Sequence, residues 1–160
     1  METELKFLAL LLIANGAPIL ARNLMGNCCS WPLDGGMRTA AGAPILGDSK
    51  TLRGVISAIL LTGAVAPIGG IDWLWGTTIG ALAMLGDLLA SFTKRRLGYP
   101  PSSRTTGLDQ IPESLLPVLV VAPVFKLGWS SILIILVGFI ILVPLLSLLF
   151  YCVGIRRRPY

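Results

Sequence analysis

Gly86-Asp87-Leu88-Leu89-Ala90-Ser91-Phe92-Thr93-Lys94-Arg95-Arg96 sets a carboxylate inside an apolar helix and a basic cluster at that helix's end. An ionisable group at membrane depth is costly and marks a candidate functional site. Helix positions i, i+4 and i+7 share a face. Asp87, Ser91 and Lys94 therefore form a column that climbs from within the membrane towards one surface. Such a column can hold a cation deep and an anionic group above it.

The rest of the chain agrees with a membrane setting. Of 160 residues, 54% are hydrophobic and 13% charged, with a mean hydropathy of +0.81. This is far above a soluble domain. Only helices or closed barrels span lipid. The expected fold is all-α, a polytopic membrane protein with five transmembrane helices, with residues 1–160 forming a single domain. The net charge of +5 does not point to nucleic acid, because the basic residues sit at the ends of apolar segments. That placement reads as topology and phosphate contacts. Cys28 and Cys29 are adjacent, which is not a metal-ligand spacing, and Cys152 lies in an apolar run. Without histidine, histidine-based catalysis and histidine metal ligands are excluded.

Five apolar segments stand out: 5–21, 54–71, 73–92, 112–125 and 129–155. A spanning helix needs about 20 residues. The fourth segment falls short unless Glu113 and Lys126 snorkel or neighbours cover it, and Pro144 is expected to kink the fifth. With five spans, loops 22–53 and 94–111 and the C-terminus share a side. That side carries 11 of the 13 Lys and Arg residues, leaving Lys6 and Lys126 opposite. The positive-inside rule then puts the N-terminus outside and the C-terminus in the cytoplasm of a multi-pass cell (inner) membrane protein. Glu2 and Glu4 make the N-terminal region acidic, which argues against a cleaved signal peptide. The outer connections are tiny, while the two cytoplasmic loops are long and rich in Gly, Pro and charge. Loops of that kind carry function, so the site is expected there.

Loop 22–53 contains Pro32-Leu33-Asp34-Gly35-Gly36 and Gly47-Asp48-Ser49-Lys50-Thr51-Leu52-Arg53-Gly54. The latter reads as a turn opening a helix at about Val55, a good anion site. It is not a Walker A loop, which would need Gly where Ser49 and Pro44 stand. The competing reading is a helix cap with a positive-inside anchor. Asp87 could instead be a buried ion-pair partner, Lys94-Arg95-Arg96 an anchor to anionic headgroups, and Asp109 a first-turn residue before Pro112. Taken together, the loops supply Asp48, Asp87 and Asp109 as hard oxygen ligands suited to Mg²⁺, with Asp34 in support. Lys50, Arg53, Lys94, Arg95 and Arg104 are the matching phosphate-binding cations. This is equipment for nucleotidyl or phosphoryl transfer. A phosphate monoester nucleophile is already ionised at pH 7, so no general base is needed.

Gly86-Asp87-Leu88 with Ser91, Lys94 and Arg95, followed by Leu108-Asp109-Gln110, resembles the CDP-archaeol synthase family, a branch of the CTP-dependent phosphatidate cytidylyltransferase superfamily. The resemblance runs through Asn15 and Pro18, Pro32-x-Asp34-x-Gly36, Gly47-Asp48-x-Lys50-Thr51-x-Arg53-Gly54, Gly107 to Ser114, and Arg158-Pro159-Tyr160. Gln110 stands where the superfamily has an Arg after its Asp, and Ser49 where archaeal relatives usually carry Gly. The resemblance implies an Mg²⁺-dependent enzyme of the cytoplasmic face. It would join CTP to an unsaturated, archaetidic-acid-like ether lipid phosphate and release pyrophosphate. The implied metal ligands are Asp87 and Asp109, and the implied catalytic set adds Lys94 and Lys50. Asp48, Lys50, Thr51, Arg53, Ser91, Lys94, Arg95 and Arg104 would bind the nucleotide. The partners are CTP, the lipid phosphate and the bilayer, with no nucleic acid, and a homodimer is left open. The alternatives are a phosphatidate cytidylyltransferase acting on an ester lipid and a non-enzymatic transporter or assembly subunit using Asp87 as a cation site. A CDP-alcohol phosphotransferase would need aspartates four apart on one helix, which are missing here.

Overall fold

The computed structural model describes residues 1–40, 42–100, 103, 105 and 107–154. Among them are five α-helices: α1 (Glu2–Met25), α2 (Leu52–Val65), α3 (Trp73–Arg96), α4 (Gln110–Val121) and α5 (Trp129–Cys152). A 3₁₀ turn, Ala66–Gly69, prolongs α2 where Pro67 ends its ladder. The described residues contain no strand, only isolated bridges pairing Pro32 with Thr51 and Arg38 with Pro44. Each expected apolar segment therefore folds as a helix.

Four of these are long and apolar enough to cross a membrane: α1, Leu52–Gly69, α3 and α5. The fifth expected span is shorter. At 12 residues and 1.5 Å per residue, α4 reaches about 18 Å, against a hydrocarbon core of about 30 Å. Neighbours cover it instead: α4 packs on α3 and α5. Glu113 does not snorkel. It is buried and turned inward, at 3% exposure.

Polarity is reversed relative to a water-soluble bundle. Leu133, Ile134, Val137, Ile141, Leu145 and Leu149 on α5 are exposed, whereas Arg53, Lys94, Arg95 and Glu113 are buried. A helix that is apolar all round, as α5 is, suits lipid.

Small residues set how closely the helices approach. A Cβ on Gly76 would meet Ala66 Cβ at 2.4 Å and Thr62 O at 2.8 Å, and one on Gly80 would meet Ala58 O at 3.0 Å. This is small-residue packing between α2 and α3. A Cβ on Gly86 would lie 2.2 Å from Pro112 O and 2.6 Å from Glu113 Cα. At that crossing α3 and α4 touch backbone to backbone.

The bundle has a dry end and a wet end. Phe7, Leu11, Ile79, Val118, Val121, Ile135 and Phe139 form the dry core, closed by the edge-on pair Phe7–Phe125 at 4.9 Å. These residues lie near the starts of α1, α3 and α5 and the end of α4. The opposite halves of the same helices line a polar chamber together with described residues of the two long loops, among them Gly26, Lys50, Ser103 and Asp109.

Candidate functional site

The chamber has a volume of about 540 Å³, the size of a small-molecule site. The predicted column points into it: Asp87, Ser91 and Lys94 all line its wall, and Ser91 and Lys94 are buried. Lys50 Nζ donates to both carboxylate oxygens of Asp87, at 2.7 Å to Oδ1 and 2.6 Å to Oδ2. Lys94 Nζ donates to Asp109 Oδ1 at 2.7 Å and to the Ser103 carbonyl at 2.7 Å. Asp109 Oδ2 accepts from the Thr105 N–H at 3.0 Å. Two lysine–aspartate pairs, each linking a helix to a loop, thus face one cavity.

Lys50 is held by the loop's own fold. Leu33 N–H donates to the Lys50 carbonyl and Leu52 N–H to the Trp31 carbonyl, so segment 31–33 brackets 50–52. Thr51 Oγ1 then caps α2 by accepting from Gly54 N–H at 3.2 Å. The helix consequently starts at Leu52, three residues before the expected Val55. The Thr51 hydroxyl oxygen, expected at the nucleotide, serves this cap while the residue lines the chamber.

Asp34 organises the loop. Its carboxylate accepts from Gly36 N–H at 3.0 Å, Leu46 N–H at 2.9 Å and Gly47 N–H at 3.4 Å. Burial pushes its carboxyl upward, but these backbone donors outweigh that and hold it below the usual carboxylate range. It does not line the chamber.

Arg53 lines the chamber as well and also holds the loop. Its Nη1 donates to the Gly26 carbonyl at 2.9 Å and to the Cys28 carbonyl. It thereby ties the chain leaving α1 to the start of α2, while its Nε is buried without a partner. Arg95 is different: it is 5% exposed, and neither Nε nor Nη1 has a hydrogen-bond partner among the described residues. Buried, unsatisfied N–H groups of a charged side chain are expensive. Arg95 as a residue lines the chamber, where an anion is the natural partner of a guanidinium. Asp48 is exposed at the rim. Arg104 lies outside the described residues.

Glu113 is a participant that the sequence reading did not place at the site. It lines the chamber and accepts from Asn15 Nδ2 at 2.7 Å, bridging α1 and α4. Its only sequence signal is that a carboxylate one residue after Pro112 opens an otherwise apolar helix.

The described residues hold no cluster of three or more Asp, Glu, Cys or His placed to cage a metal ion. Mg²⁺ rarely needs one, since it is usually held by one or two carboxylates plus substrate phosphates and water. Asp87 and Asp109 fit that pattern. Both line the chamber, and each already accepts from a cation below 3 Å.

A second, apolar groove of about 250 Å³ runs between α1, α2 and α5. Asn15, Ile19, Val143 and Ser147 line both the groove and the chamber. The polar chamber and the apolar groove therefore share a wall.

The family described as CarS-like CDP-archaeol synthase matches residues 72–160. Among curated proteins, the CDP-archaeol synthase of Methanospirillum hungatei is 32% identical over 149 residues, covering 81% of this chain and 89% of that one. The CDP-archaeol synthases of Sulfurisphaera tokodaii and Hyperthermus butylicus are each 36% identical over 105 and 106 residues, 62% of this chain. The chain spans about 60% of the length of those two relatives. A solved structure described as "Structural insight into an intramembrane enzyme for archaeal membrane lipids biosynthesis" is similar with a TM-score of 0.68 at 23% identity. The match covers 86% of this chain and 90% of that one, a likeness of fold.

Proposed function

The chain belongs to the CDP-archaeol synthase family, and from that premise we propose that it transfers CMP from CTP to a lipid phosphate at the membrane. The acceptor is an archaetidic-acid-like, unsaturated ether lipid phosphate. Its ionised phosphate oxygen attacks the α-phosphorus of CTP, the bond from Pα to the bridging oxygen breaks, and pyrophosphate leaves. No proton has to be removed, in keeping with a chamber without histidine. Catalysis then rests on positioning and charge neutralisation.

The observation that carries this reading is the wall of Arg95, Lys94 and Lys50 around one chamber, with two buried Arg95 N–H groups unsatisfied. Such a wall suits a triphosphate. Arg95 grips phosphate, and Lys94 and Lys50 neutralise the triphosphate and the attacking phosphate. Ser91 donates to the same anions from the middle of the column. Asp87 and Asp109 are the residues to hold Mg²⁺, which when bound screens the charge of the triphosphate. Arg53 and Thr51 hold the loop that presents Lys50. The adjoining groove takes the hydrocarbon tails, so that a lipid from the bilayer meets a nucleotide from the cytoplasm.

The test is incorporation of radiolabelled CTP into lipid by the purified chain, with ether and ester lipid phosphates side by side. Label in the ether lipid supports the proposal. Preference for the ester lipid would reassign the acceptor to phosphatidate. Label in neither, with the protein folded, would favour the transporter or assembly-subunit alternative.

A further inference from the structure

We infer that Lys50 and Lys94 occupy the cation positions at Asp87 and Asp109 until a nucleotide arrives, so that a divalent cation enters together with a nucleoside triphosphate and not ahead of it. The inference rests on the function proposed above and specifies the form in which the site takes its ligand.

The geometry at Asp87 is the starting point. Both of its oxygens accept from one ammonium, at 2.7 and 2.6 Å. At Asp109, Oδ1 accepts from Lys94 and Oδ2 from the Thr105 N–H. Among the described residues every oxygen of the two aspartates already accepts one hydrogen bond, and the charge of each carboxylate is paired with an ammonium. A bare cation would have to displace an ammonium and would then sit beside it, with like charges repelling at short range.

A triphosphate removes both obstacles. Its oxygens accept the two ammonium groups, and the aspartates are released to the cation. Arg95 needs no such exchange, since among the described residues its Nε and Nη1 have no partner to give up. It is therefore the first grip on the triphosphate, and the lysine exchange follows. Permanent structural ion pairs would look the same at rest but would not trade partners. The two readings separate on metal binding measured without turnover.

The experiment is equilibrium dialysis of Mn²⁺ against the full chain in detergent, with and without CTP, counting protein-retained metal and correcting for Mn²⁺–CTP in solution. In the wild type, CTP should tighten Mn²⁺ by a factor in the range of about 5–150 typical of coupled sites, and Mn²⁺ should tighten CTP by the same factor. Lys50→Met should raise the affinity for Mn²⁺ alone on the order of tenfold while reducing that coupling. Lys50→Arg keeps the charge at Asp87 and should therefore show no gain in affinity for Mn²⁺ alone. If Lys50→Met does not elute as a folded protein, Lys94→Met reads the same exchange at Asp109, and the wild-type comparison stands by itself. Mn²⁺ held by the wild type as tightly without CTP as with it would overturn the inference while leaving the proposed function in place. So would a folded Lys50→Met variant with no gain. Absence of CTP binding in every form would overturn the proposed function, and the inference with it.

Discussion

Asp87 and Asp109 each accept a lysine ammonium in the chamber, and both substitutions to Asn keep size while removing charge. Each should cost at least about 10²-fold in CTP-dependent turnover, the scale of losing one preorganised electrostatic group, with the fold intact by size-exclusion chromatography. Failure only through unfolding would return these aspartates to a structural ion-pair role. Among the cations, Lys50→Ala and Arg95→Ala should weaken CTP use by about 1.5–3 kcal/mol per charge-assisted contact. Arg157→Ala should leave steady-state kinetics nearly unchanged, because topology depends on summed charge. Equal mild effects in all three would mean that neither Lys50 nor Arg95 contacts the nucleotide. The column Asp87, Ser91, Lys94 was legible because helical spacing alone puts those positions on one face. Other roles were not legible. Asp34 has the composition of a ligand, yet three backbone N–H groups occupy it, and such partners depend on how a loop folds. Arg53 has the composition of a phosphate contact, but its Nη1 meets the carbonyls of Gly26 and Cys28. Glu113 looked like a snorkelling end residue and became a chamber residue through the α3–α4 crossing.

At the scale of elements, that crossing is what brings the two acidic positions into one site. Gly86 lets α3 reach the α4 backbone at Pro112 and Glu113, so Asp87 and Glu113 line a single cavity. Gly86→Val would place methyl groups where backbone already stands. Overpacking of this kind costs about 1–3 kcal/mol. It should lower the thermal midpoint in detergent and reduce turnover more than Gly16→Val, since a Cβ at Gly16 meets nothing within 4 Å. Equal behaviour of the two variants would show that the crossing is not tight. Helix existence was readable from apolar runs and their flanking Gly and Pro. Helix ends were less so: Thr51 starts α2 earlier than the Gly54 pattern suggested, and α4 ends at Val121 although apolar residues continue to Phe125. Its short length is accommodated by packing partners, which periodicity does not reveal.

For the whole molecule, the dry core at one end and the charged chamber at the other give the bundle a direction in the membrane. The basic residues cluster with the chamber, with 11 of 13 Lys and Arg expected on that side. The positive-inside rule therefore predicts that the chamber faces the cytoplasm. A reporter fused after Tyr160 that works only in the cytoplasm should be active. Activity of an exterior-only reporter at that position would invert the orientation and separate the chamber from cytoplasmic CTP. The central claim is that this chamber moves a cytidylyl group and not a terminal phosphoryl group. It is tested most directly by giving the purified chain an ether lipid phosphate with CTP labelled at either the α- or the γ-phosphate. The account predicts that α-label appears in the lipid and γ-label in released pyrophosphate, both lost in Asp87→Asn. Lipid carrying the γ-label, or no transfer from either nucleotide by folded protein, would contradict it.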